Sequence, residues 1–216
     1  MVEIKFCGMM RSEDARQAVS LGASYVGVIL AGGPRTLTTD ASEQVIAAVP
    51  ANVSRVGVFG ALAPEQIATV ATRLRLDVVQ LHGDPGAKMI ARLRQLWQGQ
   101  IWAVQRVAES TLADDTSEMF DAADGVVLDA RVAGQLGGTG VTLPWEELRA
   151  PLAAMRSRRA KLVLAGGLRP ENVARAIDVL QPDVVDVSSG VESTVGVKDH
   201  ARMRAFRDAA RAVQMR

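Results

Sequence analysis

The chain holds one thiol, Cys7, which closes the strand-like run Glu3–Cys7 just before Gly8. A thiol with an ordinary pKa of about 8.5 can serve as a base once nearby positive charge stabilises the thiolate. A lone cysteine is also a common small core residue. Asp129 closes a second apolar run, Gly125–Asp129. It can supply a proton opposite such a base, or simply cap the loop that follows.

Two glycine segments carry a different chemistry. Ala165-Gly166-Gly167-Leu168 leads toward Pro170-Glu171-Asn172, and Ser188-Ser189-Gly190-Val191-Glu192 follows the last apolar run. Glycine lets backbone N–H groups come close to a phosphate. Arg35, after Gly32-Gly33-Pro34, can grip a carboxylate with its planar fork or stand as a solvated loop charge. His82, after Gln80-Leu81, is a ligand contact or a satisfied loop histidine. Asp186 alternates into the same face as its neighbours' inward residues and is expected to pair with Lys5, since a buried lysine needs such a partner. Gly137-Gly138-Thr139-Gly140 is a lid or a flexible connection.

These residues need elements to position them, and one pattern repeats along the chain. A short β-branched run is followed by a polar or glycine loop and then an amphipathic segment. The strands predicted are Glu3–Cys7, Tyr25–Leu30, Arg55–Phe59, Val78–Leu81, Ile101–Gln105, Gly125–Asp129, Lys161–Ala165 and Val184–Val187. The helices predicted are Ser12–Ser20, Thr39–Val49, Pro64–Leu74, Gly86–Trp97, Ser110–Phe120, Pro144–Met155, Pro170–Leu180 and Asp199–Val213, with Ser110–Phe120 weak in propensity. Ser12 reads as an N-cap before Glu13 and Asp14, and Pro64, Pro144 and Pro170 as first-turn prolines. Strands alternating with helices imply parallel pairing through right-handed crossovers. Eight units of about 27 residues fit a small (β/α)₈ barrel, an α/β TIM barrel with a parallel eight-stranded sheet, as one domain over residues 1–216. An open doubly wound sheet is the rival, but no G-x-G-x-x-G turn follows the first strand. In a barrel, chemistry sits at the C-terminal ends of the strands. Alternation then turns Lys5, Cys7, Val127 and Asp129 inward.

Composition narrows the classes. Aromatics are only 4%, so the core must be aliphatic, as barrel interiors are. A net charge of +1 speaks against a nucleic-acid surface, and the cluster Arg156, Arg158, Arg159, Lys161 reads as a solvated helix end. One cysteine cannot form an internal disulfide, and with two histidines it makes a zinc site improbable. The N-terminus enters a strand-like run with no signal-peptide pattern, and the most apolar run, Tyr25–Leu30, is too short to span a bilayer. A cytoplasmic protein with no membrane partner is expected.

Several motifs, in order, resemble those of the phosphoribosylanthranilate isomerases of tryptophan biosynthesis. They are Cys7-Gly8-Met9-Met10-Arg11, Pro34-Arg35, Gln80-Leu81-His82-Gly83, Leu128-Asp129 with Gly137-Gly138-Thr139-Gly140, Ala165-Gly166-Gly167-Leu168 with Asn172-Val173, and Asp186 through Glu192. The likeness runs from Lys5 to Asp199. It implies a cofactor-free Amadori rearrangement of a phosphosugar by a monomer or homodimer, with Asp129 as general acid and Cys7 as general base. It implies further that Arg35 holds the anthranilate carboxylate, and that the loops at Gly166-Gly167 and Ser189-Gly190 hold the phosphate. His82, Asp186 and Ser188 complete the expected substrate site. Two positions depart from the family pattern: Met10 stands where threonine is usual, and Gly33 where serine is usual. The related histidine-pathway isomerases, including dual-substrate forms, usually carry aspartate at the position of Cys7. A non-catalytic sugar-phosphate-binding barrel is the alternative from another class.

Overall fold

The alternation of Val, Ile and Leu with small or polar residues builds strands with two buried faces, one toward a barrel axis and one toward covering helices. A computed structural model describes residues 1–83, 85–107, 112, 116–130, 142–155 and 159–213. Its strands are β1 (Glu3–Phe6), β2 (Tyr25–Ile29), β3 (Ser54–Phe59), β4 (Val78–Leu81), β5 (Gln100–Val107), β6 (Gly125–Ala130), β7 (Lys161–Leu164) and β8 (Val184–Val187). All pair in parallel, in sequence order, and β8 closes the ring on β1 with Lys5 opposite Asp186. The helices are α1 (Ser12–Ser20), α2 (Thr39–Ile46), α3 (Pro64–Arg73), α4 (Ala87–Leu96), α5 (Thr116–Ala122), α6 (Trp145–Ala153), α7 (Val173–Leu180) and α8 (His200–Ala212). After β8, a 3₁₀ turn at Ser189–Val191 leads into an antiparallel hairpin of β9 (Glu192–Thr194) and β10 (Val197–Lys198).

Two apolar layers follow from the alternation. Val56, Val78, Trp102, Val104, Val127, Val163 and Val184 fill the axis. Ile4, Phe6, Val26, Val28, Val79, Ile101, Leu128 and Val185 face the helices. Each fully buried side chain of this size contributes roughly 1.5–3 kcal/mol. The Tyr25 and Trp102 rings, 4.8 Å apart, plug the axis, and Lys161 pairs with Glu3 and bonds the Tyr25 hydroxyl toward the N-terminal end. The open mouth is therefore at the other end, where β1, β6 and β8 finish.

The helices obey the same logic. In α7, Val173, Ala176, Ile177 and Leu180 are buried at the 3–4-residue spacing of one helical face. Asp199 caps α8 by accepting from the Ala201 and Arg202 N–H groups.

Several boundaries differ from those read in the sequence. Ser12 is the first helical residue of α1 rather than its N-cap, because its hydroxyl donates to the Gln44 carbonyl instead. Pro64 does occupy the first turn of α3, but Pro144 is the N-cap residue of α6, and Pro170 lies in a turn before α7. The turn at Pro170 is held by Asn172, which accepts from the Arg169 N–H. The fifth strand is longer than expected, running from Gln100 to Val107; the fifth helix is described over Thr116–Ala122, two residues past the expected end at Phe120, and residues 110, 111 and 113–115 of the expected span lie outside the described residues. The β9–β10 hairpin has no counterpart among the expected elements. The Gly137-Gly138-Thr139-Gly140 segment, Arg156 and Arg158 lie outside the described residues. Among the described residues no helix is long and apolar enough to cross a membrane.

Candidate active site

Cys7 stands one residue beyond β1, and the ladder continues through it. Its N–H donates to the Val187 carbonyl at 2.9 Å, and the Met9 N–H donates to Gly27 at 2.9 Å, so the chain is pinned between β8 and β2. His82 similarly extends β4, donating its N–H to Phe59 at 2.7 Å. Asp129 is still within β6. These three strand ends and the loops after β2, β7 and β8 enclose a cavity with about 790 Å³ of empty space, open to solvent. Cys7, Asp129, Arg35, His82, Gly166, Gly167, Asp186, Ser188, Ser189 and Gly190 all line it.

The charge arrangement around Cys7 is dense. The Lys5 ammonium, with no exposed surface, donates to Asp186 at 2.6 Å, as strand alternation and the β1–β8 neighbourhood require. Burial is the largest single influence on Lys5 and pulls it down, but Asp186 and Cys7 together outweigh it and hold the ammonium above its ordinary range. Lys5 Cε and Cys7 Sγ crowd one face of Gly27, at 3.3 and 3.1 Å from where a Cβ would stand. The balance at the sulfur runs against the simple expectation of an activated thiolate. Burial pushes the Cys7 thiol up, Lys5 opposes it, Asp186 reinforces it, and the net shift is upward. The cations are present, but desolvation is the larger effect.

Across the mouth, His82 Nε2 lies 4.0 Å from Asp129 Oδ2, with both side chains about one-tenth exposed. Arg35 is not a solvated loop charge. Its Nε and Nη2 donate to the two carboxylate oxygens of Glu192 at 2.8 and 2.7 Å. Glu192 in turn accepts from Lys198 Nζ at 2.8 Å, and Lys198 also donates to the Ser188 carbonyl at 3.0 Å. Burial drives Lys198 below its ordinary value despite Glu192. Burial alone would raise Glu192, but Arg35 and Lys198 together hold it below the usual carboxylate range.

The two glycine loops meet. Gly166 and Gly167 have φ of +75° and +65°, a left-handed pair that side chains resist. Asn172 holds this turn by donating from Nδ2 to the Gly167 carbonyl at 3.0 Å. Gly190 lies so close to the first loop that a Cβ there would come within 1.9 Å of the Leu168 carbonyl oxygen. Successive backbone N–H groups in such turns form concavities suited to anions.

Sequence reasoning did not single out Lys198, Glu192 or Gln80 as site residues. Gln80 lines the cavity two residues before His82, so the same strand alternation would have turned it inward. Glu192 and Lys198 reach the site through the short β9–β10 hairpin, which carries no apolar alternation. Among the described residues no group of three His, Cys, Asp or Glu side chains is placed to hold a metal ion.

A closed (β/α)₈ barrel whose ionisable side chains and glycine loops gather at the C-terminal mouth is the architecture of a barrel enzyme acting on a small molecule. Known proteins narrow the class. The sequence profile described as N-(5'phosphoribosyl)anthranilate (PRA) isomerase matches residues 4–209. N-(5'-phosphoribosyl)anthranilate isomerase of Pseudomonas fluorescens is 38% identical over 97% of this chain and 98% of its own. Among solved structures, monomers generated from the dimeric phosphoribosylanthranilate isomerase of Thermotoga maritima superpose with a TM-score of 0.84 at 33% identity, over 98% of this chain and 100% of that one. A phosphoribosylanthranilate isomerase in complex with reduced 1-(o-carboxyphenylamino)-1-deoxyribulose 5-phosphate gives 0.82 at 33% identity over the same shares. The chain belongs to the N-(5'-phosphoribosyl)anthranilate isomerase family.

Proposed function

We propose that this chain converts N-(5-phosphoribosyl)anthranilate to 1-(o-carboxyphenylamino)-1-deoxyribulose 5-phosphate, an Amadori rearrangement in tryptophan biosynthesis, without a cofactor and in the cytoplasm. The observation that carries the reading is the shared cavity: Cys7 and Asp129, far apart in the chain, line one opening with Arg35 and both glycine loops.

The chemistry orders the roles. The sugar C2–H is acidic only beside an iminium carbon, so ring opening comes first. Asp129 gives a proton to the furanose oxygen as the C1–O bond breaks and the nitrogen lone pair forms the Schiff base. The Cys7 thiolate then takes the C2 proton, and its electrons flow to the iminium nitrogen to give an enolamine. Loss of the C2 hydroxyl proton and protonation at C1 yield the ketone. A positioned acid or base typically contributes about 10²–10⁴-fold. Lys5 and Lys198 both favour the thiolate against the cost of burial. Arg35 would bind the anthranilate carboxylate, and the main chain at Gly166-Gly167 and Ser189-Gly190 the phosphate, which orients the sugar without touching the reacting bonds. His82, Asp186 and Ser188 would border the sugar. All these groups come from one chain, so the chemistry is open to a monomer or a homodimer.

Purified protein mixed with fluorescent N-(5-phosphoribosyl)anthranilate is expected to abolish the substrate's fluorescence catalytically. Binding with an unchanged signal would point to a sugar-phosphate-binding barrel instead. Turnover of the histidine-pathway aminoimidazole substrate alone would assign the neighbouring reaction.

A further inference from the structure

Arg35 meets Glu192 side-on. Its Nε and Nη2 are committed to Glu192, which leaves the Nη1/Nη2 edge of the same planar group. Glu192 is itself fixed. Its side chain is 5% exposed, and Lys198, with no exposed side-chain surface, donates to the oxygen that also receives Arg35 Nε. Lys198 stands opposite Glu192 across the β9–β10 hairpin. The hairpin is anchored in turn. The Lys198 N–H donates to the buried Asp14 carboxylate at 3.3 Å, and the Asp199 N–H donates to Val191 at 2.9 Å. A row of buried or nearly buried groups thus runs from α1 through the hairpin to a guanidinium that lines the cavity.

We infer that Glu192, braced by Lys198, is a positioning residue for Arg35, mounting the guanidinium so that its remaining edge is presented to a carboxylate on the substrate. The inference rests on the function proposed above, which supplies that carboxylate. Glu192 does not have to leave when substrate arrives, because the two carboxylates use different edges of one fork. A group meant only to compete for Arg35 would need freedom to move away, and Glu192 has two cationic partners and almost no exposed surface. The mount also fixes direction: a planar donor fork discriminates by geometry as well as charge. Its effect therefore falls on ligands that carry the carboxylate, not on those that carry the phosphate alone.

The test compares two ligands by calorimetry: reduced 1-(o-carboxyphenylamino)-1-deoxyribulose 5-phosphate, and ribose 5-phosphate, which lacks the carboxylate. The proteins are wild type, Glu192→Gln, Glu192→Ala, Arg35→Ala and the Arg35→Ala/Glu192→Ala double variant. Glu192→Gln is expected to weaken the carboxylate ligand by about tenfold or more while ribose 5-phosphate changes by less than about threefold. In turnover, KM should rise and kcat stay within about threefold. The double variant should bind the carboxylate ligand no more weakly than Arg35→Ala alone, since Glu192 acts through Arg35. Equal losses for both ligands would reduce Glu192 to a structural brace. Tighter carboxylate binding would make it a competitor, and additive losses would deny the coupling; each overturns the inference. If Glu192→Ala fails to fold, Glu192→Gln with Arg35→Ala supplies the same comparisons. A wild type that binds the reduced product but does not turn over substrate would sink the proposed reaction and leave the mount testable by binding. A wild type with no preference for the carboxylate ligand would sink the mount as well.

Discussion

Gly190→Ala is the most sharply defined perturbation the site offers. The added methyl would lie 1.9 Å from the Leu168 carbonyl oxygen, 2.9 Å from its carbon and 3.2 Å from the Arg169 Cα. All three are backbone atoms, so no rotamer change relieves the contact. Ordinary carbon–oxygen contact needs roughly 3.3 Å, and the two loops must separate by about 1–1.5 Å to restore it. Overpacking of this kind typically costs about 1–3 kcal/mol of stability. A displacement near 1 Å in a positioning group can cost on the order of 10²-fold in rate. Because these loops are assigned to phosphate, the loss should appear first as weaker binding of ribose 5-phosphate and a raised KM, with the fold intact by thermal melting. Ser189→Ala, which adds no backbone contact, serves as the mild control. Wild-type affinity for ribose 5-phosphate in a folded Gly190→Ala protein would refute the phosphate assignment.

Other consequences follow from the charges. The Cys7 thiol is held above its ordinary range chiefly by burial, and the reaction needs the thiolate. Alkylation of this single cysteine by iodoacetamide should therefore keep accelerating with pH beyond the ordinary thiol range, by up to about tenfold per unit, and a plateau well below that range would argue against a thiol raised by burial. Lys5→Met leaves Asp186 buried without its cation, so stability should fall by about 3–5 kcal/mol in chemical denaturation. The same substitution removes a cation that favours the thiolate, so the rise of Cys7 alkylation with pH should form a limb displaced to higher pH in the folded variant. A limb that moves to lower pH would contradict the assignment.

How much of this was legible in the sequence depends on whether the information is local. The Lys5–Asp186 pair was legible because alternation sets the inward face and closure of a ring makes the first and last strands neighbours. Asp129 and Cys7 were placed at strand ends by the same reasoning, and both reach the cavity. The direction of the Cys7 shift was not legible: nearby cations can be guessed from alternation, but the desolvation that outweighs them depends on three-dimensional burial. Arg35 was legible as a possible carboxylate clamp, yet its tie to Glu192 was hidden. The partner comes from a hairpin of three- and two-residue strands with no periodic signal. Ser12 shows the same limit at small scale, since its hydroxyl takes a partner more than a helix away, Gln44, in place of the cap its residue type suggests.

The central claim is that one thiol and one carboxylate divide the proton transfers over a shared site. Its most direct test is turnover and reduced-product affinity measured on Cys7→Ala and Asp129→Ala separately. The account predicts that kcat falls by about 10²-fold or more in each while affinity for the reduced product stays within a few-fold of wild type. Wild-type turnover in either protein would contradict it.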